Sequence, residues 1–288
     1  MAGAGAGMSA GRHERVATYG ILTLFSVVAI YPVVSILFLA LHKKTDLVTG
    51  LAIPTHLDLS SFKAAWTEGR FATGFKASFI VAATVTVVSA VLSIGTGYAF
   101  GTMRFFGDRV VFPIILLGII FPYEATVIPL YYDFQNVPLL HLNLLNTYWA
   151  LILPQIGQSV AFGTFWMRAF FRSTPRSLIE AARIDGATSF GVLWRVLIPQ
   201  ARPAIMTMSV LVFTYTWNEF LLALVLVSGS QSHQTAPLGL SFFAGAARAG
   251  DPTKVAAAAV LVAAPILIVY LFLQRHFVRG MLSGAVKE

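Results

Sequence analysis

RSTPRSLIEAARIDGATSFGVLWRVLIPQAR, residues 172–202, is a long polar interruption between two apolar runs. It reads as two short helices joined by a turn. Thr174-Pro175 marks a helix start, because proline fits the first turn without losing a needed donor. Ser177 and Glu180 have capping-box spacing. Ile179, Ala182 and Ile184 are the apolar positions of the first helix. Asp185-Gly186 supplies the turn, with Gly186 free to take positive φ. Ser189 is the expected cap of the second helix, whose Val192 and Val196 share a face beside Leu193 and Leu197. Pro199 is expected to stop that helix and Pro203 to start the next. Ala181 and Ala182 are read as exposed, and small side chains there admit close approach of another surface. A plain interfacial loop resting on headgroups fits the same amphipathic pattern.

On either side of this loop lie apolar runs. Val16–His42, Ala77–Met103, Phe134–Met167 and Val255–Gln274 contain no Asp, Glu, Lys or Arg. Val110–Tyr132 contains only Glu124, and Pro203–Val227 only Glu219. A bilayer-spanning helix needs about 20 apolar residues. Six spans are therefore expected, at 17–41, 76–100, 110–132, 148–171, 203–227 and 255–275. Pro32, Pro122, Pro129, Pro154 and Pro265 fall inside them, a placement membrane helices tolerate where neighbours satisfy the freed backbone. The chain of 288 residues is 57% hydrophobic and 11% charged, against about 25% charged in soluble domains. Such a chain cannot cover a soluble surface, and its apolar content excludes disorder. Without cysteines it is neither a disulfide scaffold nor a thiol enzyme. The fold class is all-α integral membrane.

Basic residues set the expected orientation. With the N-terminus inside, 13 of the 20 Lys and Arg fall on inner segments, and the outer loop Asp133–Thr147 has none. Both termini are then cytoplasmic, and the formal charge of +8 reflects topology and anionic lipid instead of nucleic-acid binding. Residues 1–14, rich in Gly and Ala, read as a flexible cytoplasmic leader without a cleavable signal. Residues 15–288 read as one six-span domain, with 172–202 as its cytoplasmic loop.

The string Glu180-Ala181-Ala182, three residues, Gly186, nine residues, then Val196-x-Ile198-Pro199 resembles the EAA loop of membrane subunits of binding-protein-dependent ABC importers. The family's usual ending is Ile-x-Leu-Pro, so Val196 and Ile198 are mild departures. Phe162-Gly163-Thr164-Phe165 precedes the loop and Trp217-Asn218-Glu219-Phe220 follows it, in the family's order. Ala236-Pro237-Leu238-Gly239-Leu240, Gln274 through Gly280, and Gly284-Ala285-Val286-Lys287 resemble the carbohydrate permeases, of the maltose type. The resemblance covers about residues 15–288.

What the resemblance implies is a six-helix permease in a bacterial plasma (inner) membrane, with the EAA-loop helix pair docked in a cleft of a cytoplasmic ATPase. Glu180 would lie at the contact, Ala181 and Ala182 would allow close packing, and Gly186 would set the angle between the helices. Asp185 would pair with Arg183 or Arg195, or serve the turn alone. The chain itself shows no Gly-Lys dipeptide and hence no Walker A loop, and its six histidines have no metal-ligand spacing. ATP and Mg would belong to two copies of a partner P-loop ATPase, with no cofactor on this chain. A second homologous permease subunit would complete the pore. A sugar-binding protein would dock on the outer segments 42–75 and 228–253.

Polar groups inside the spans are costly and often functional. Glu124 and Glu219 come out at similar depth, with Tyr131 on the face of Glu124 and Tyr215 on that of Glu219. Gln155, Gln158, Ser159 and Phe162 follow i, i+3, i+4, i+7, one helix face. Amides, hydroxyls, carboxylates and rings are what a sugar path needs. Asn218 and Glu219 suit either sugar contact or helix packing and gating. The rival reading is an ion-coupled secondary transporter with Glu124 and Glu219 as ion sites; it has no need of the helix-pair loop. An intramembrane enzyme would need a nucleophile with a base, or a metal pair, and the sequence offers neither.

Overall fold

The computed structural model describes residues 12–43, 51–138, 140–247 and 251–285. Residues 1–11 of the expected leader lie outside them, and Arg12 already opens the first helix. Described in chain order, the helices are α1 (Arg12–Ala40), α2 (Ser60–Glu68), α3 (Phe71–Thr102), α4 (Asp108–Ile120), α5 (Val127–Gln135), α6 (Tyr148–Ser173), α7 (Arg176–Ile184), α8 (Ser189–Gly191), α9 (Ile198–Asn218), α10 (Leu221–Leu226), α11 (Ala236–Ala247) and α12 (Pro252–Ala285). No strand occurs among the described residues. Among the described residues, four helical stretches are long and apolar enough to cross a membrane: His13–Ala40, Phe71–Thr102, Ser189–Asn218 and Pro252–Phe272. The bent pair Asp108–Ile120 and Tyr123–Gln135 makes a fifth if taken as one span. The remaining expected span is α6, 26 residues long and so about 39 Å at 1.5 Å per residue. It carries a polar stripe and does not belong to that apolar set.

The chain divides into two compact units, Met1–Glu68 with Ala246–Leu261, and Gly69–Gly245 with Val262–Glu288. In the second unit, α3 lies along α6 and α9 packs on both. The crossing is close because glycines face it. A Cβ on Gly97 would stand 2.5 Å from the Met167 Cβ, and one on Gly101 3.0 Å from the Phe171 Cβ. Membrane helices associate by such small-residue contacts, since lipid supplies no hydrophobic drive between them. Around the seam, Val81, Val85, Leu151, Met167, Phe171, Leu197 and Met208 are fully buried. Trp217 is buried, and its Nε1–H donates to the Val262 carbonyl at 3.2 Å. Tyr98 stacks edge-on against Phe171 and donates to the Ser189 carbonyl at 3.1 Å, which ties α3 to the start of α8.

Two expected spans are broken, the first of them at a proline. The span 110–132 bends by 87° after Ile120. Pro122 removes a backbone donor and holds Phe121 extended, at ψ 124. The chain restarts as a 3₁₀ turn, Tyr123–Thr126. The span 203–227 ends at Asn218, and α10 begins anew at Leu221. The opposite correction applies at Pro199, which does not stop a helix. Val192–Leu197 forms a π segment that joins α8 to α9, so one helix runs from Ser189 to Asn218. A π segment shifts the hydrogen-bond register by one residue, which lets the helix continue past a proline that lacks its donor.

In the first unit, Asp58 Oδ1 accepts the Ser60 amide at 2.8 Å and starts α2. Ser61 Oγ meets Thr253 Oγ1 at 3.0 Å. Lys254 Nζ pairs with Glu68 at 2.7 Å, and Asp251 Oδ1 accepts from Thr253 Oγ1 at 2.7 Å. Thus the ends of the expected outer segments 42–75 and 228–253 are pinned to each other. Along α1, Tyr19, Phe25, Val28 and Tyr31 are all at least half exposed.

Candidate functional site

A cavity of about 410 Å³ opens between α4, α6 and α9. Gln155, Gln158, Ser159 and Phe162 line it from α6, and Tyr215, Thr216, Asn218 and Glu219 from the end of α9. Ile119 and Tyr123 close it from the break after α4. The structure thereby brings together five of the six residues expected on a substrate path. Glu124 is not among them: it is exposed in the 3₁₀ turn, next to Tyr123, which does line the cavity. The bend also ends the helical register that linked Glu124 to Tyr131, whose ring instead meets that of Tyr132.

The five differ in what they have free. Gln155 is buried, and its Nε2 donates to the Leu151 carbonyl at 2.9 Å, leaving its Oε1 available. Asn218 Nδ2 donates to the Thr214 carbonyl at 2.9 Å. Gln158 is exposed to the cavity, and neither it nor Ser159 spends its polar atoms on a side-chain hydrogen bond among the described residues. Glu219 has a structural task. Its Oε1 accepts the Leu222 amide at 2.9 Å and its Oε2 the Ala223 amide at 3.3 Å, so it caps α10 from one residue before the usual position. Glu219→Ala is expected to destabilise by about 0.5–2 kcal/mol, the range of a lost cap. Glu219→Gln keeps one acceptor and should lose less, about 0.5 kcal/mol, the low end for one hydrogen bond. Thermal unfolding in detergent checks both; equal loss in the two variants would mean that the charge, and not the cap, is what matters.

The 172–202 loop is a second candidate surface. Its first helix, α7, begins at Arg176 with Pro175 as N-cap. Ser177 lies inside the helix and forms no capping box, because proline has already set the start. α7 closes in a Schellman turn. Gly186 has φ +82, its amide donates to the Arg183 carbonyl at 3.0 Å, and the Ala187 amide to that of Ala182 at 2.9 Å. Ala182 and Ala187 both pack on the core, so Ala182 faces inward while Ala181 and Glu180 are exposed. Ile184, expected on the apolar face, is 86% exposed. Asp185 forms the C-cap of α7, and among the described residues it has no ion pair with Arg183 or Arg195. The cap of α8 is Thr188, one residue before the expected Ser189; its Oγ1 accepts the Gly191 amide at 3.2 Å. Val192, Leu193 and Leu197 are buried and Val196 is half-buried.

Residues 93–283, which include the α6 wall of the cavity, α7 and α9, match the family described as binding-protein-dependent transport system inner membrane component. The chain belongs to this family. The transport component is 33% identical over 267 residues to the probable ABC transporter permease protein YurM of Bacillus subtilis, covering 92% of this chain and 86% of that one. It is also 33% identical over 260 residues to the trehalose transport system permease protein SugB of Mycobacterium tuberculosis, covering 90% and 93%. Among solved structures, it matches a chain of a bacterial ABC transporter that imports the acidic polysaccharide alginate. That match has a TM-score of 0.74 at 26% identity and covers 93% of this chain and 98% of the other. The all-α membrane fold of an importer permease is thus established for the transport component.

Tyr123 and Thr216 are cavity residues that sequence reasoning missed. The signal for Tyr123 was Phe121-Pro122: a helix that must break at Pro122 points the next side chain into the gap. Thr216 lies one turn from Val212, which lines the same cavity, and carried no sequence signal of its own.

Proposed function

We propose that this chain is one permease half of an ATP-driven importer for a sugar or related polyol, coupled to its ATPases through the 172–202 loop. The observation that carries the reading is the outward presentation of Glu180, Ala181 and Ile184 on α7, a helix fixed at its end by the Gly186 turn and packed on the core through Ile179 and Ala182. Only rigid attachment passes motion from a docked partner into α9, which the π segment joins without a break. Two copies of a cytoplasmic P-loop ATPase, carrying ATP and Mg, a second permease subunit and an extracytoplasmic binding protein complete the assembly. The loop and both termini face the cytoplasm of a bacterial inner membrane, as the basic residues direct.

In the mechanism, a loaded binding protein docks outside and ATP closes the ATPases. The α7 contact carries that motion into α9, and the path turns from inward-facing to outward-facing. Hydrolysis resets it and releases the substrate inside. The cavity on α4, α6 and α9 suits a polyhydroxylated solute, because Gln158, Ser159 and Tyr215 offer hydrogen bonds while Phe162 and Tyr123 offer flat apolar faces. The trehalose permease among the relatives points to the same substrate class. Gln158→Ala should raise the KM for uptake by roughly two- to tenfold, the equivalent of one hydrogen bond of about 0.5–1.5 kcal/mol, with unchanged thermal unfolding. An unchanged KM would remove Gln158 from the path.

The assembly is tested by affinity purification of the tagged chain from its native membrane, with mass spectrometry of what accompanies it. A P-loop ATPase and a second permease in defined ratio are expected. Recovery of the chain alone, from intact membranes in more than one detergent, would contradict the proposal and favour the ion-coupled alternative.

A further inference from the structure

A second cavity, of about 550 Å³, is separate from the transport cavity and opposite to it in chemistry. Six arginines line it, from four segments: Arg104 after α3, Arg109 in α4, Arg168 and Arg172 in α6, and Arg176 and Arg183 in α7. Only two carboxylates join them, Asp108 and Glu180. Among the described residues, neither carboxylate is in an ion pair with any of these arginines. One guanidinium is fixed in place: Arg168 donates through Nε to the Phe100 carbonyl at 3.2 Å and lies 3.8 Å over the Phe112 ring. The other five have no side-chain hydrogen bond among the described residues. Like charges gathered in one concavity repel, and a cleft lined by one sign focuses its field on a counter-ion. The planar guanidinium fork matches phosphate oxygens in pairs. Next to Arg104 in the chain, Phe105 and Phe106 are 41% and fully exposed. Aromatic and basic residues side by side are the pattern of a membrane interface.

We propose that this cleft binds a phosphate group, donated by an anionic lipid headgroup or by soluble phosphate, and that the bound anion braces the foot of α7 against α3 and α6. The cleft's lining shares no residue with that of the first cavity. The test uses the protein as purified from its membrane with its bound partners. It is placed in nanodiscs of phosphatidylcholine with graded phosphatidylglycerol, and retained lipid is counted by native mass spectrometry. Separately, inorganic phosphate binding is measured by calorimetry after delipidation.

Wild type is expected to retain phosphatidylglycerol, with retention falling as salt rises. The double variant R104Q/R172Q should lose it by on the order of tenfold, since each basic side chain at a lipid surface contributes separately. The double variant R104K/R172K, which keeps the charge but not the paired guanidinium contacts, should retain an intermediate amount and guards against misfolding of the Gln pair. Retention that inorganic phosphate does not displace identifies the lipid as the source. Arginine-dependent binding of inorganic phosphate to the delipidated protein identifies the soluble source. Equal lipid retention by wild type and R104Q/R172Q, with no phosphate binding by either, overturns the proposal. So does loss of a partner chain from R104Q/R172Q while anion binding is unchanged, because the cleft would then seat an acidic protein segment.

Discussion

Gly186→Pro will abolish uptake while the protein remains in the membrane. Gly186 sits at φ +82, where proline, fixed near −65°, cannot go. The substitution also deletes the amide that donates to Arg183 at 3.0 Å, one of the two bonds that close α7. The forbidden φ and the lost amide together cost about 3 kcal/mol at the turn, enough to release α7 without touching the α3–α6 core. Labelled-substrate uptake, with immunoblotting for membrane abundance, reads the result. Gly186→Asn is the control, because asparagine tolerates the left-handed region; it should keep most of the uptake. Normal uptake by Gly186→Pro would sink the idea that the loop is a rigid relay.

Gly163→Val is expected to be the most destabilising single substitution in the core. A Cβ at Gly163 would overlap Ser93 Oγ, stand 2.7 Å from the Ser93 Cβ and 3.0 Å from the Met208 Sδ. Ser93 and Met208 are buried on α3 and α9, so three helices meet at this glycine and none has free room. Overpacking of this kind costs about 1–3 kcal/mol and occasionally more. The measurement is thermal unfolding in detergent together with membrane yield. The same argument predicts coupling between neighbours: Gly163→Ala should be harmful alone and largely rescued by Ser93→Gly, which removes the atoms it strikes. If Gly163→Ala is as stable as wild type, the close approach of α3 and α6 is wrong.

Much of this was legible in the chain. The charge-free runs gave the helices, and the spacing of Glu180, Gly186 and Pro199 located the loop. The α6 stripe from Gln155 to Phe162 was visible as a helical period, and the cavity lies along it. What periodicity could not give was the course of the backbone around proline. The helix breaks at Pro122 but continues through Pro199, because a π segment precedes Pro199 while an extended Phe121 precedes Pro122. The extended Phe121 is the local consequence of the proline that follows it, whereas nothing in the apolar period marks the π segment before Pro199. Ala182 was misplaced for a related reason, since the Schellman turn buries it against Ala187. Caps shifted by one residue at Thr188 because threonine and serine are both good caps and adjacent.

Glu219 shows why composition alone misleads about intramembrane charge. As an isolated carboxylate in an apolar run it suited an ion site equally well. In the structure it accepts two backbone amides at the start of α10, and Glu124 lies outside the cavity it lines. The two carboxylates therefore do not line this cavity together.

The chain has no cysteine, so a single engineered thiol reports one contact cleanly. Ala181→Cys, cross-linked in native membranes with a short bifunctional reagent and analysed by mass spectrometry, tests the coupling of loop 172–202 directly. The account predicts a cross-link to a P-loop ATPase, at a yield that changes when ATP is added, and no such cross-link from a cysteine placed at the inward-facing Ala182. Cross-links from Ala181→Cys only to lipid or to a second copy of this chain, with the ATPase present in the same membranes, would contradict it.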